Sequence, residues 1–379
     1  SIKNYKKGLK KNKANYASLS PIAFLERTAS VFPNYKSIIS ENNSFTWKST
    51  LSRCKLFASS LIKMKIKKGD TVSIMAPNTS AMYEAHFAIP MVGAVINAIN
   101  IRLDAKTISY ILTHSDSKII FVDTEFLPII KQAFKIGKLK IPIIFIEDCS
   151  DFSKNIDGNI SYEDFLNLGS LMDNKVNFKI DDEWFPISLC YTSGTTGEPK
   201  GVVTHHRGAY LNSISNQLSW NMKKNPIYLW TLPMFHCNGW CFPWTIAAMA
   251  GTNICLRKFD AKKVFKLINK YNVTHLCGTS VVIKMLIEEG TKLEKTVELM
   301  TGAAPPPASV LKKIEELNFN ITHTYGLTEV YGPATVCEWQ EEWRSLKKDL
   351  VAEHKSRQGV KCYGLVDLQV ISKKNKKPV

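Results

Sequence analysis

No stretch of this 379-residue sequence is long and apolar enough to cross a membrane. The longest apolar run, Ala85–Ile101, is interrupted by His86, Pro90, Asn97 and Asn100, so it is expected in a protein core. No secretory apolar region follows the lysine-rich start. The nine cysteines are dispersed, odd in number and without a disulfide framework, which argues against a stapled secreted domain. Only Cys237 and Cys241 lie close together, and no second pair completes a zinc site. Several cysteines sit in apolar runs and are expected as buried thiols in a reducing interior. No repeat appears at solenoid periods. Acidic residues are scarce beside basic ones, 33 against 50, for a net charge of +17. The lysines are scattered apart from Lys3–Lys13 and Lys373–Lys377, and neither cluster belongs to a nucleic-acid module. No nucleic-acid partner is expected, although a positive field helps attract anionic small molecules.

What is present is a globular composition, 45% hydrophobic and 22% charged, in a chain long enough for more than one unit. Ser20-Pro21 is expected to open a helix, with Ser20 as its N-cap. A hairpin over Ser37–Trp47 and a helix over Lys48–Lys63 follow. Strands at Thr71–Met75, Ala94–Asn97, Lys118–Asp123 and Ile141–Ile146 then alternate with helices at Ser80–Val92, Asp104–Ser115 and Phe126–Gly137. Such alternation builds a mostly parallel sheet covered by helices, so the fold class is α/β. After a polar connector with a short helix at Tyr162–Leu168, a strand over Pro186–Cys190 begins a second α/β half. Its expected helices are His206–Met222, Trp240–Ala250, Ala261–Tyr271, Val281–Glu289 and Ala308–Leu317. Its strands are Ile227–Leu232, Asn253–Leu256, His275–Gly278, Val297–Thr301 and Ile321–Tyr325. Cys337–Lys361 is charged and expected to be irregular, and Leu365–Ser372 is expected to start a new strand.

The stretch around which the rest is arranged is Tyr191–Gly201, YTSGTTGEPKG. It gathers Gly194, Gly197 and Gly201, the hydroxyls of Thr192, Ser193, Thr195 and Thr196, and the charge of Lys200. Glycines let a backbone approach a ligand closely, and successive N–H groups in such a turn form a concavity for anions. This is a phosphate-gripping composition, but its glycine and lysine spacing is not that of the common P-loop.

Three further strings carry chemistry. Pro233-Met-Phe-His-Cys-Asn-Gly-Trp240 places His236 in a punctuated loop after a strand, a position compatible with a gate, an acid–base group or a packed core residue. Gly302–Pro307, GAAPPP, puts small residues where a flat ligand would lie against the backbone, with prolines fixing the exit. Thr324-Tyr-Gly-Leu-Thr-Glu329 ends a strand in an aromatic ring, a sharp turn, a hydroxyl and a carboxylate.

The four strings, in this order, resemble the adenylate-forming (AMP-binding) superfamily, and most closely the plant-type acyl-activating enzymes. Ala76-Pro-Asn78, Asn100-Ile-Arg-Leu-Asp104 and His354-Lys-Ser-Arg-Gln-Gly359 are similar to that branch as well. The resemblance runs from about residue 20 onwards and implies an AMP-binding N-terminal domain. Its parts would be α/β/α subdomains over about 20–180 and 181–336, and the start of a β-rich subdomain over 337–379. It also implies an acyl-CoA synthetase using ATP, Mg²⁺ and CoA on a small carboxylic acid, either a short- to medium-chain fatty acid or an aromatic acid. Thr192, Ser193, Gly194, Thr195, Thr196, Gly197 and Lys200 would hold phosphate. Gly302, Ala303, Ala304, Pro305, Thr324, Tyr325 and Gly326 would face the nucleotide. Thr328 would meet the α-phosphate and Glu329 would ligate Mg²⁺. His236, Trp240, Gly302 and Gly326 would line the acid pocket, with Lys200, His236, Thr328 and Glu329 the catalytic set.

The departure is at the end. Family members continue with an aspartate for the ribose, a hinge and a mobile domain carrying a catalytic lysine. None of these has a counterpart here, and Lys373–Lys377 does not stand in for that lysine. An incomplete domain lacking its lid is therefore expected. A non-catalytic binding remnant and an adenylating enzyme with an acceptor other than CoA both stay open. An intracellular site is expected, with cytoplasm and peroxisome both open because a C-terminal signal would lie beyond Val379. Oligomeric state is not legible.

Overall fold

The computed structural model describes residues 7–147, 160–192 and 197–379. The chain opens with α1 (Ile22–Val31), the hairpin β1 (Lys36–Ile39) and β2 (Ser44–Thr46), and α2 (Trp47–Lys63). Strand–helix alternation follows through β3 (Thr71–Met75), α3 (Ser80–Met91), β4 (Val95–Ala98), α4 (Ala105–His114), β5 (Ser117–Asp123), α5 (Leu127–Gly137) and β6 (Ile143–Ile146). Next come β7 (Ile160–Ser161), α6 (Tyr162–Asn167), β8 (Pro186–Thr192), β9 (Lys200–His205), α7 (His206–Ser219) and β10 (Ile227–Trp230). The one-turn element α8 (Cys237–Trp240) leads to α9 (Phe242–Ala248), β11 (Thr252–Cys255), α10 (Ala261–Tyr271), β12 (His275–Gly278), α11 (Ser280–Glu289) and β13 (Val297–Thr301). The chain closes with α12 (Ala308–Glu316), β14 (Phe319–Leu327), β15 (Gly332–Val336), α13 (Lys348–Lys355) and β16 (Val360–Lys361).

The strands form two sheets, of order β7-β6-β5-β3-β4-β8-β9 and β16-β15-β14-β13-β12-β10-β11-β1-β2. In the first only β9 runs against the rest; in the second β2 and β15 do, and β16, antiparallel to β15, runs with the majority. This is the expected α/β class, with helices starting where the local chemistry directs. Asp104 Oδ1 accepts from the Thr107 N–H at 2.9 Å at the start of α4, and Asp260 Oδ1 accepts from Lys263 at 2.7 Å at the start of α10. Left-handed Asn272 and Gly290 end α10 and α11.

Several expectations need correction. The helix at Ser20-Pro21 begins one residue later, with Pro21 at the N-cap, while the Ser20 hydroxyl contacts His206 Nδ1 at 2.9 Å. A strand, β9, precedes α7 and pairs with β8, so the described ends of the phosphate motif, Thr192 and Lys200, face each other across a strand pair. The motif does not lead directly into a helix. Trp240 lies in a left-handed turn and not in a helix, and α9 starts only at Phe242. The charged stretch after Cys337 contains α13, and Leu365–Ser372 forms no strand, only a single bridge from Ile371 to Pro378. Sheet membership also crosses the chain at both ends. β8 and β9 join the first sheet although they follow residue 181, and β1 pairs in parallel with β11 of the second sheet.

One continuous apolar cluster joins the halves, packing Tyr83 and Phe87 of α3 with Tyr228, Trp230, Phe242 and Trp244. Every residue of α3 is buried, as expected for the run starting at Ala85, with Glu84, His86 and Pro90 enclosed as well. Its polar members are therefore paired. Glu84 meets Arg53 Nε at 2.6 Å and the Tyr162 hydroxyl at 2.5 Å, and Arg53 also bridges to Glu163.

Burial pushes His86, His206 and His275 down to about 4, from an ordinary value near 6.5. The unfolded chain takes up protons near pH 6.5 that the folded chain refuses until about pH 4. Their stabilising contribution is thus complete above pH 6.5, is lost as pH falls towards 4, and sums to several kcal/mol. Urea unfolding at pH 7.5, 6.5, 5.5 and 4.5 is expected to show that decline, with a shallower one for His275→Gln. Equal slopes for the two proteins would contradict this account.

Candidate active site

The strand ends carry the motif residues to one place. Residues after β4, at the end of β8, after β10, after β13 and at the end of β14 line two adjoining cavities of about 470 and 420 Å³. This is the carboxyl-end crevice where open parallel sheets hold ligands. The first cavity is walled by Thr192, Lys200, His236, Trp240, Gly302, Ala303, Thr324, Gly326, Thr328 and Glu329, with Gly332 and Pro333. The second is walled by Asn100, Leu103, Thr107, Tyr191, Gly197 and Phe235. Thr192, His236, Cys237 and Thr328 line both, so His236 stands at their junction.

Hairpin register explains the nucleotide side. Thr192 pairs directly with Lys200, and Tyr191 with Gly201, so both Thr192 and Lys200 stand at the sheet edge on the cavity wall. Ser193, Gly194, Thr195 and Thr196 lie outside the described residues. Gly197 has φ +136°, and nothing stands within 4 Å of where its Cβ would be. Across the cavity, Thr324 Oγ1 donates to the Thr301 carbonyl at 3.2 Å, tying β14 to β13. Gly326 is required by close approach, because a Cβ there would lie 1.8 Å from the Gly332 carbonyl oxygen. At Gly302 a Cβ would lie 3.0 Å from Trp240 Cη2 and 3.1 Å from Thr324 Oγ1, so the indole lies against bare backbone.

The strand end does not gather everything. Ala304 and Pro305 are exposed beside the first cavity and do not line it, and Tyr325 is half-buried off its wall. Glu329 is exposed on the wall. Among the described residues no cluster of three or more His, Cys, Asp or Glu is placed to hold a metal. A lone carboxylate suits an ion such as Mg²⁺, which takes most of its ligands from water and phosphate.

Residues not singled out from the sequence complete the site. Asn78 after β3 accepts from the Met234 N–H at 2.8 Å and donates to the Trp230 and Leu232 carbonyls at 2.9 and 3.1 Å, holding the segment before His236. His236 projects into the cavities with its side chain exposed to them and protein packed behind it. Desolvation by that surrounding protein, then the charge of Arg102, lowers its pKa and favours the neutral imidazole. The Tyr191 hydroxyl contacts His114 Nδ1 at 2.7 Å, and burial raises it to about 12. The one available signal was position: Asn78 and Arg102 lie in short motifs beside the strand ends. A larger cavity, about 850 Å³, lies at the opposite strand ends among Trp220, Lys224, Glu298 and Trp339, and none of the four motifs reaches it.

Gly326→Ala is expected to destabilise the chain by about 1–3 kcal/mol in urea unfolding, because backbone has to move. Gly302→Ala is expected to cost less, since the Trp240 ring can shift, while reshaping the cavity. Equal stability of Gly326→Ala and the parent chain would refute the close approach.

Comparison with known proteins agrees with this geometry. The model of a family described as AMP-binding enzyme matches residues 25–365. The chain is 46% identical to the peroxisomal acetate/butyrate–CoA ligase AAE7 of Arabidopsis thaliana over 98% of its own length and 68% of that protein's. It is 45% identical to the peroxisomal benzoate–CoA ligase of the same plant, over 96% of this chain and 65% of that one. The chain thus spans about two thirds of the curated relatives it matches. The N-terminal domain of FACL13 from Mycobacterium tuberculosis shares the fold, with TM-score 0.76 at 23% identity, covering 91% of this chain and 83% of that one.

Proposed function

Because this chain belongs to the AMP-binding enzyme family, we propose that it is an ATP-dependent carboxylic acid–CoA ligase. The observation that carries the reading is convergence: the Thr192–Lys200 hairpin mouth, His236 and Thr328-Glu329 all face one cavity. ATP would lie between the hairpin and the Gly302–Thr328 wall, with the acid towards His236 and Trp240. A carboxylate oxygen bonds to the α-phosphorus as the bond to the departing pyrophosphate breaks, giving an acyl-adenylate. The CoA sulfur then bonds to the acyl carbon, the carbon–oxygen bond to AMP breaks, and the thiol proton is lost. The first step brings two anions together, so Lys200 and the hairpin donors have to neutralise charge that develops on the phosphate. Glu329 would hold Mg²⁺, which when bound supplies further neutralisation of phosphate charge. Fixing both substrates in one cavity supplies the proximity term. The second cavity, meeting the first at His236, is the route we assign to the thiol.

The relatives' names support a short-chain fatty acid or an aromatic acid as substrate, and a peroxisomal setting. The expected division at about residues 180 and 336 is read here with β8 and β9 assigned to the first sheet and β16 to the second. The test is acid-dependent pyrophosphate release from Mg·ATP with hydroxylamine as trap, over acetate, butyrate, hexanoate, octanoate, benzoate, cinnamate and 4-coumarate. Release with at least one acid is expected, falling about 100-fold or more in Lys200→Ala and in Glu329→Ala. Release without thioester formation on adding CoA would point to another acceptor. ATP binding without release from any acid would overturn the reading in favour of a non-catalytic binding protein.

A further inference from the structure

Five consecutive residues, Cys237 to Cys241, have φ between 41° and 66°. Left-handed backbone is ordinarily visited by single residues, at a cost for each residue with a side chain. Such a turn persists only where its surroundings hold it. Two backbone bonds close it, Gly239 N–H to the His236 carbonyl at 2.9 Å and Cys241 N–H to the Asn238 carbonyl at 3.1 Å. These bonds are internal and do not say where the turn sits.

The attachment to β8 and α3 comes from the wholly buried side chain of Asn238, while Asn216 Nδ2 of α7 donates to the Trp240 carbonyl at 2.8 Å on the other side. Its Oδ1 accepts from the Ser188 hydroxyl and from the Cys190 thiol at 2.8 Å, both on β8. Its Nδ2 lies 3.1 Å from His86 Nε2 on α3. His86 Nδ1 faces the Met82 carbonyl at 2.7 Å, which can only accept, so Nδ1 carries the proton and Nε2 offers its lone pair. The Asn238 amide therefore donates to α3 and accepts from β8. An aspartate would keep the acceptors and lose the donor, and an aliphatic side chain would lose both.

We propose that Asn238 is a positioning residue that clamps the His236–Trp240 turn to β8 and so sets the separation between the two halves of the cavity. β8 ends in Thr192, paired with Lys200 on the nucleotide side; the turn carries His236 and Trp240 on the acid side. The catalytic consequence rests on the ligase reading. The clamp itself does not.

Two measurements on the 379-residue chain separate them. The first is hydrogen–deuterium exchange, read on peptides covering Pro186–Thr192 and Thr231–Cys241. Asn238→Ala is expected to speed exchange in both, and Ser188→Ala, which opens no large void, to speed it in the turn as well as in β8. A rise confined to the mutated segment, a uniform rise along the whole chain, or no change would overturn the clamp. Should Asn238→Ala fail to fold, Ser188→Ala decides alone by the same criterion. The second is hydroxylamine-trapped adenylation. In Asn238→Ala and Asn238→Asp the expected result is a 10- to 100-fold fall in kcat with KM for ATP within threefold of the parent, because misplacement costs orientation more than affinity. A kcat within threefold of the parent would overturn the positioning role. A silent parent chain would instead count against the ligase reading and leave the exchange result to judge the clamp.

Discussion

The burial of α3 on every side is the constraint on which the rest of the structure depends. A helix enclosed between two sheets cannot leave a polar side chain unpaired, because no water reaches it. Glu84 therefore takes Arg53 and Tyr162 as partners, and His86 takes the Met82 carbonyl and Asn238. The first set ties α3 to α2 and α6. The second ties it to the turn that bears the acid-side residues. Apolar packing of Tyr83 and Phe87 against the β10 and α9 aromatics supplies the non-directional part of the same junction.

Given that junction, the cavity follows from topology. Two mostly parallel sheets deliver loops at the carboxyl ends of their strands, and α3 brings those ends together. The deviations from regular structure fall where the cavity needs them. Glycines stand where backbone meets backbone at Gly326, or an indole at Gly302, and the left-handed turn stands where His236 and Trp240 enter. Buried amides do the joining, Asn78 for the segment before His236 and Asn238 for the turn after it.

Much of the fold was legible in the chain because its periodicities are local. Thr71–Met75, Ala261–Tyr271, His275–Gly278 and Val297–Thr301 appear with the expected bounds. The misses share a physical cause. Lys200–His205 is a strand because β8 offers it a ladder, which no local pattern announces. Leu365–Ser372 has strand-like apolar content but no neighbouring strand beyond one bridge, so it stays irregular. Trp240 continues an apolar run that looks helical, yet its backbone is held left-handed by contacts distant in sequence.

The sequence by itself determined the chemistry on offer. It held the glycine, hydroxyl and lysine content of Tyr191–Gly201, the His236 loop, the GAAPPP stretch and the Thr328-Glu329 pair, with the α/β alternation that carries them, since composition and spacing are properties of the chain. Only the tertiary structure decided which of those groups share a cavity. It brought Thr192, His236 and Thr328 onto one wall, left Ala304 and Pro305 outside, and enlisted Asn78, Arg102 and Asn238. The reason is range: a helix or strand is specified by neighbours a few residues away. The clamp between Asn238 and His86 spans 152 residues and exists only once the core around α3 has closed.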